Sequence, residues 1–171
     1  MINLYNKDCL EAMKSMKDNE FDLAIVDPPY GIKRFKSRFL GYKKLNNWDN
    51  KPKKEYWLQL FRISKNQIVW GANNFQMPSS EYFCIWNKKQ TVENFASAEY
   101  AWVSTGLKKP AKVFDYSIHQ HNQNKKIHPT QKPVKLYQWL LNNYANKGDK
   151  ILDTHLGSGS IAIACHDLGF D

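Results

Sequence analysis

The stretch 133–168 constrains the fold of this chain more than any other feature. Pro133 suits a first helical turn, and Gly148 in "NKGD" suits the position just past a helix end. Between them, apolar residues recur at helical spacing: Val134, Tyr137, Leu140, Leu141 and Tyr144. A short strand "KILD", the turn "THLGSGS" and a second helix "IAIACHDLG" follow. This order predicts an α/β fold with a parallel sheet.

Hydrophobic periodicity predicts the other elements. Strands are expected at 2–6, 21–26, 81–88 and 99–105, and 66–75 is expected to be a strand that leads to a Gly-Ala-Asn-Asn turn. Helices are expected at 10–17 and 53–65. The continuous apolar run "LAIV" within 21–26 is typical of a strand covered on both faces. That strand runs directly into a carboxylate and a rigid segment with two missing amide donors: Asp27, Pro28, Pro29 and Tyr30.

Composition excludes several classes of protein. With 42% hydrophobic residues in a chain of 171, disorder is not expected, and one folded domain over 1–171 is. The apolar runs are too short for a membrane span, and the amino-terminal residues do not resemble a signal peptide. Three cysteines without metal-ligand spacing favour a reduced, cytoplasmic protein with no metal site.

The net charge of +9 is concentrated in one segment. Residues 31–65 hold eleven Lys or Arg residues against Asp49 and Glu55, whereas the remainder holds fourteen basic and fourteen acidic residues. A basic stretch interleaved with aromatic residues predicts contact with a polyanion such as nucleic acid. A solvated lysine-rich loop is the alternative.

The glycine turn 153–160 has two interpretations at this point. Asp153 at a strand end, followed by Gly157 and Gly159 before a helix, permits a tight turn that a ligand can approach closely. With Ala162 the spacing fits G-x-G-x-x-A, but the chain ends before the acid that a dinucleotide fold expects about twenty residues later. A plain strand-to-helix turn therefore stays open.

Three motifs together resemble a known family. "DPPY" after an apolar strand, "HPTQKP" before a helix and "ILDTHLGSGS" resemble the amino-methylating DNA methyltransferases that use S-adenosylmethionine. Their order resembles the circularly permuted branch called the beta class. The resemblance covers most of the chain, including "IVWGANNF", "AEYAW" and "KIHPTQKPVKLYQWLLNNY". It implies a Rossmann-like fold with a mostly parallel central sheet flanked by helices.

The resemblance assigns "DPPY" to the reacting amino group. Asp27 and the carbonyl of Pro28 would accept the amino hydrogens and stabilise the positive charge that develops during methyl transfer. Pro28 and Pro29 would hold these acceptors rigidly. Tyr30 would stack on a base extruded from the duplex.

The resemblance also implies the residues that bind S-adenosylmethionine, with S-adenosylhomocysteine as product and no metal. The glycine loop would contribute Asp153, Thr154, Gly157, Ser158 and Gly159. The segment before the predicted helix would contribute Thr130, Gln131, Lys132 and Pro133. Asp8 matches the acid that binds the cofactor's adenine, although a helix cap for "CLEAMK" explains it equally well. His155 is expected to pack or to form a hydrogen bond rather than to act as a base.

Target recognition is expected in two segments, 33–53 and 88–126. DNA contacts are predicted for basic residues of the first: Lys33, Arg34, Lys36, Arg38, Lys43 and Lys44. Relatives usually continue past the glycine-loop helix into another cofactor-binding strand, which is expected to be missing after residue 171.

The predicted function is methylation of a flipped adenine in double-stranded DNA, in the setting of restriction and modification. Methylation of the cytosine amino group uses the same geometry and is the nearest alternative. A truncated, catalytically silent DNA-binding member is another, and methylation of a glutamine side chain a fourth. The basic segment argues against the last of these. A homodimer stays open.

Overall fold

The computed structural model describes residues 1–31, 50–122 and 131–171. Within these ranges the helices are α1 (Cys9–Lys14), α2 (Lys54–Ile63), α3 (Ile118–Asn122), α4 (Val134–Tyr144) and α5 (Ser160–Leu168). The strands are β1 (Phe21–Val26), β2 (Ser64–Trp70), β3 (Phe83–Asn87), β4 (Ala98–Val103), β5 (Lys112–Asp115) and β6 (Ile151–Leu152). Short 3₁₀ turns cover Ala72–Asn74 and Thr105–Leu107.

The strands form a single mixed sheet in the order β5-β3-β4-β2-β1-β6. Strand β1 is parallel to β2 and to β6, and β3 is parallel to β5, whereas β4 runs antiparallel to both of its neighbours. The predicted α/β fold with a mostly parallel sheet is confirmed.

Helices cover both faces of the sheet, which explains the continuous apolar run in β1. Leu23 and Ile25 face the cluster that α4 and α5 complete, whereas Ala24 and Val26 face the cluster that α1 and α2 complete. Both faces of β1 are therefore buried, at 0–1% exposure for these four residues. In the described ranges no helix is long and apolar enough to cross a membrane.

The sheet topology predicts a crevice at the carboxyl end of β1. The chain leaves β1 to form β2 on one side, and it later returns through α4 to form β6 on the other side. Ligands of open α/β sheets bind at such a switch point, outside the carboxyl ends of the strands. Asp27 and Asp153, which directly follow β1 and β6, lie at this edge.

Several predicted elements differ from the structure. Residues 2–6 form no strand, because a strand needs a hydrogen-bonded neighbour and this mostly exposed segment has none among the described strands. Helix α1 ends at Lys14 rather than at residue 17. Helix α4 ends at Tyr144 with Ala145 as its cap, so Gly148 lies in the following turn with φ +91°, and Pro133 is the residue just before the helix. Strand β5 and helix α3, both inside 88–126, were not predicted.

Candidate active site

Asp27 stands at the carboxyl end of β1 with both carboxylate oxygens engaged. Its Oδ1 accepts a hydrogen bond from the Tyr30 hydroxyl at 2.6 Å, and its Oδ2 forms an ion pair with Lys132 Nζ. The side chain is 20% exposed, so the carboxylate reaches the crevice while most of it is enclosed. Pro28 is buried and Pro29 is half-buried. As prolines they donate no backbone hydrogen bond and hold the turn after the strand at a fixed φ.

Lys132 is a buried ammonium between two carboxylates. Its side chain is 5% exposed, and its Nζ contacts Asp27 and lies 3.2 Å from Glu99 Oε2. The same nitrogen lies 3.3 Å from the Tyr30 hydroxyl and 5.6 Å from the centre of the Trp70 ring. Burial lowers the pKa of Lys132, but the two carboxylates outweigh it and raise that pKa well above its ordinary value. Lys132 is therefore charged.

Glu99 on β4 is a site residue that the sequence analysis missed. It is 26% exposed, and its Oε1 pairs with Lys88 Nζ at 2.6 Å. Burial raises the pKa of Glu99, but the ammonium groups of Lys132 and Lys88 prevail and bring it to about 2. A glutamate inside the otherwise apolar strand "AEYAWV" was the available signal, because a charge there needs a partner.

The Tyr30 ring is held in place by a glycine and by other aromatic rings. A Cβ on Gly71 would overlap the Tyr30 ring at Cε1, so only glycine permits this approach, and its φ of +63° also favours glycine. Phe75 meets Tyr30 edge to face at 6.1 Å between ring centres, and Trp57 lies 5.0 Å from Phe75. Burial raises the pKa of Tyr30 above its ordinary value, so its hydroxyl stays protonated and donates to Asp27.

The glycine loop after β6, residues 157–159, has open space beside its backbone. Gly157 has φ +54° and Gly159 has φ +75°. A Cβ on Gly159 would meet no atom within 4 Å, and one on Gly157 would meet only the His155 carbonyl at 3.7 Å. The loop opens helix α5, whose first amide groups have no partner within the helix and attract an anion.

Asp153 directly follows β6, shortly before this loop, and forms no ion pair with any described residue. Its Oδ1 accepts a hydrogen bond from the His155 amide at 2.9 Å. Burial, aided by the negative charge of Asp27 and opposed by the Lys132 ammonium, raises the pKa of Asp153 to about 7. A carboxylate that is costly to ionise alone, beside an anion-attracting helix end, fits a ligand that carries both an ammonium and a carboxylate. The amino-acid portion of S-adenosylmethionine is such a group.

Thr154 and His155, which precede the glycines of the loop, form hydrogen bonds with residues of other elements and with each other. Thr154 Oγ1 shares hydrogen bonds with the Tyr56 hydroxyl at 2.7 Å and with His155 Nδ1 at 2.9 Å. Cys9 Sγ lies 3.9 Å from His155 Nε2. Burial lowers the pKa of His155 to about 4, so this imidazole is neutral at physiological pH.

Some of the remaining predicted site residues lie within the described ranges, and the others lie outside them. Asp8 caps α1 by accepting the Glu11 amide at 3.1 Å, as one of its two interpretations requires. The Gln131 carbonyl contacts His121 Nε2 at 2.7 Å, and Ser158 Oγ lies 3.0 Å from Ser160 Oγ. Outside the described residues lie Thr130 and the six basic residues predicted to contact DNA: Lys33, Arg34, Lys36, Arg38, Lys43 and Lys44.

Lys132 was predicted to contact the cofactor, and the structure places it beside the residues predicted to hold the methyl acceptor. The structure brings it to Asp27 and Tyr30, where the methyl acceptor was predicted to bind, and the predicted contact with the cofactor stays a prediction. The described ranges contain no cluster of His, Cys, Asp and Glu residues able to hold a metal ion.

Comparison with known proteins gives consistent matches. Over 60 residues the chain is 42% identical to the type II methyltransferase M.HpaI of Haemophilus parainfluenzae, a match that covers 34% of this chain and 19% of that enzyme. It is 24% identical to the type II methyltransferase M2.MboI of Moraxella bovis over 95% of this chain and 78% of the relative. The chain thus spans less than the full length of these relatives.

Solved structures share the fold. The complex of M1.HpyAVI with S-adenosylmethionine matches with a TM-score of 0.64 and 20% identity, over 100% of this chain and 91% of that one. The cytosine-N4-specific PvuII DNA methyltransferase matches with a TM-score of 0.59 and 14% identity, over 95% and 77% of the two chains. The DNA methylase family model for N6 and N4 enzymes matches residues 53–171, well over half of the sequence. The chain belongs to this family of S-adenosylmethionine-dependent amino-methyltransferases.

Proposed function

We propose that this chain methylates DNA, by transferring a methyl group to the exocyclic amino nitrogen of adenine. One observation carries the proposal: two carboxylates with different surroundings stand at the ends of adjacent parallel strands. Asp27 follows β1 beside Tyr30, and Asp153 follows β6 beside the open glycine loop. An acceptor site and a donor site are thereby side by side at one edge of the sheet.

The acceptor site suits an amino group that must become a nucleophile. The lone pair of an adenine amino nitrogen is delocalised into the ring, so the nitrogen is a weak nucleophile. Asp27 and the Pro28 carbonyl accept its two hydrogens, favour a pyramidal nitrogen and stabilise the positive charge that grows on it. Tyr30, fixed by Gly71 and Phe75, offers its ring to the base.

The donor site suits the amino-acid end of S-adenosylmethionine. When bound, this cofactor supplies a methyl group on a sulfonium, and the methyl carbon bonds to the amino nitrogen as its bond to sulfur breaks. Asp153 accepts hydrogen bonds from the cofactor's ammonium. The backbone of Gly157–Gly159 and the amino end of α5 face its carboxylate. The surplus proton of the methylated nitrogen leaves to water through the crevice at Asp27.

Adenine is favoured over cytosine by the first residue of the tetrapeptide. The aspartate at position 27 matches the residue typical of the adenine enzymes, whereas serine is commoner at this place among the cytosine enzymes. The observation that keeps cytosine as the second candidate is the matching fold of a cytosine-N4-specific enzyme. The leading proposal includes three further points. The substrate is double-stranded DNA with its target base flipped out, the chain belongs to a restriction and modification system, and it is located in the cytoplasm.

The test begins with calorimetric titration of the chain with S-adenosylmethionine. The chain is then incubated with mixed-sequence duplex DNA and methyl-labelled cofactor, and the DNA is digested to nucleosides for mass spectrometry. We expect micromolar binding and labelled N6-methyl-2′-deoxyadenosine. Labelled N4-methyl-2′-deoxycytidine would establish the second candidate. DNA binding without cofactor binding or label would refute the enzyme and leave a silent DNA-binding member.

A further inference from the structure

The ammonium of Lys132 occupies the carboxylate that the proposed reaction needs. A carboxylate oxygen can accept a second hydrogen bond, so occupancy by itself does not exclude an amino group. The charge is the obstacle. An ammonium held on Asp27 opposes the positive charge that develops on the reacting nitrogen, and the site's low exposure strengthens this repulsion. The pair between Lys132 and Asp27 must therefore loosen before methyl transfer.

Lys132 has a second carboxylate already within reach. Glu99 Oε2 lies 3.2 Å from the same Nζ, at ion-pair distance. Lys88 holds the other oxygen of Glu99 at 2.6 Å and so fixes the side chain in place. The Lys132 side chain is only 5% exposed. If its ammonium left Asp27 and found no other carboxylate, it would be a buried, unpaired charge, which costs much free energy. With Glu99 beside it, the ammonium remains paired in both positions.

We propose that Glu99 is a positioning residue that draws the Lys132 ammonium off Asp27 when the target amino group arrives. This inference rests on the proposed methyl transfer and concerns how its acceptor is freed. Glu99 touches neither the base nor the cofactor in this scheme and acts through Lys132 alone. Without Glu99, Lys132 stays on Asp27, and methyl transfer slows while cofactor binding is unchanged.

The test is a double-mutant cycle of Glu99→Gln and Lys132→Gln. Single-turnover methylation rates are measured at saturating DNA and cofactor, and cofactor affinity is measured by calorimetry. We expect Glu99→Gln to lower the rate about 10- to 100-fold with its cofactor Kd within about threefold of wild type. In the Lys132→Gln background the same change should alter the rate by less than about threefold, because the competing ammonium is gone.

Controls separate positioning from loss of structure. Thermal unfolding is recorded for each variant, and Glu99→Asp, which restores a carboxylate, should recover part of the rate lost in Glu99→Gln. Glu20→Gln is the matched control, because Glu20 pairs with Lys150 at the amino end of β1, opposite the end that carries Asp27, and its loss should leave the rate unchanged. In a crystal structure with DNA and a non-reactive cofactor analogue, Lys132 Nζ should lie closer to Glu99 than to Asp27.

Two different results would overturn different claims. If wild-type protein methylates DNA but Glu99→Gln slows it equally in both backgrounds, or not at all, Glu99 does not act through Lys132 and the inference is wrong. If wild-type protein transfers no methyl group, the proposed function itself fails and the inference falls with it.

Discussion

The ends of β1 and β6 place the same residue type in opposite electrostatic situations. Asp27 is paired with the buried ammonium of Lys132 and accepts a hydrogen bond from Tyr30. Asp153 forms no ion pair with any described residue, and burial raises its pKa to about 7. The two strands are hydrogen-bonded neighbours, so the difference arises from Lys132, which the loop before α4 brings to Asp27, rather than from the sheet.

The Asp27 carboxylate is thus already paired within the protein, whereas the Asp153 carboxylate is available for a cationic ligand. After β1, two prolines precede Tyr30, whose ring packs on Gly71 just after β2 and whose hydroxyl binds Asp27 beside Lys132. After β6, glycines with positive φ leave the backbone open beside a helix terminus. A cation arriving at Asp153 is stabilised there, whereas a cation forming near Asp27 must first displace one. Substitutions on the two sides of the crevice test this division of labour.

The largest effect is expected from Asp27→Asn. The amide is nearly isosteric, but it lacks the negative charge that stabilises the amino nitrogen as it becomes positive, so methyl transfer should fall about 10³-fold. Cofactor affinity should stay within about threefold of wild type, because Asp27 belongs to the acceptor side. Single-turnover rates and calorimetry measure the two quantities. A variant with more than a tenth of the wild-type rate would show that Asp27 is not the acceptor.

A smaller loss is expected from Gly71→Ala, which moves the ring rather than the carboxylate. The new Cβ would overlap the Tyr30 ring at Cε1, in a backbone conformation with φ +63°. We expect the transfer rate to fall about 10- to 100-fold and stability to fall by about 1–3 kcal/mol. Single-turnover rates and thermal unfolding measure the two losses.

Gly148→Ala is the matched control for this substitution. Its φ is also positive, at +91°, but a Cβ there meets no atom within 4 Å. It should lose about 1 kcal/mol of stability and keep its transfer rate. Equal losses of rate in both variants would mean that backbone strain, rather than displacement of Tyr30, slows the reaction.

The sequence predicted the features that depend on local pattern. The apolar run 23–26 must be buried and must end at a sheet edge, which located Asp27, and the glycine spacing located the loop after β6. The contacts between distant segments were beyond it. Lys132 and Asp27 are 105 positions apart, and only the assembled sheet shows that Glu99 reaches the same ammonium.

The errors in the predicted fold have a similar cause. Residues 2–6 carry apolar side chains typical of a strand, but pairing decides whether a strand forms. The antiparallel direction of β4 and the short edge strand β5 also depend on pairing, which no local period encodes. The DNA contacts predicted for 33–44 lie outside the described residues and stay predictions.

The smallest effect is expected from pH and concerns the donor side alone. The pKa of Asp153 is raised to about 7, so the carboxyl is largely protonated at pH 6 and largely ionised at pH 8. An ammonium binds the ionised form, so cofactor affinity should rise about fivefold from pH 6 to pH 7, where the cofactor's own amino group stays mostly charged. His155, with a pKa of about 4, does not titrate in this interval. Calorimetry across this range measures the effect.

Asp153→Asn identifies the titrating group. The variant should bind the cofactor about tenfold more weakly at pH 7, and its affinity should not change between pH 6 and pH 7, because the amide carries no proton to lose. Folding gives a second readout. The folded state holds the Asp153 proton more tightly than the unfolded chain, so this group's contribution to stability is lost as pH rises through about 7 in wild type and is absent in the variant. If the variant kept the wild-type slope of affinity against pH, another group would be titrating, and Asp153 would no longer be the carboxylate that awaits a cation.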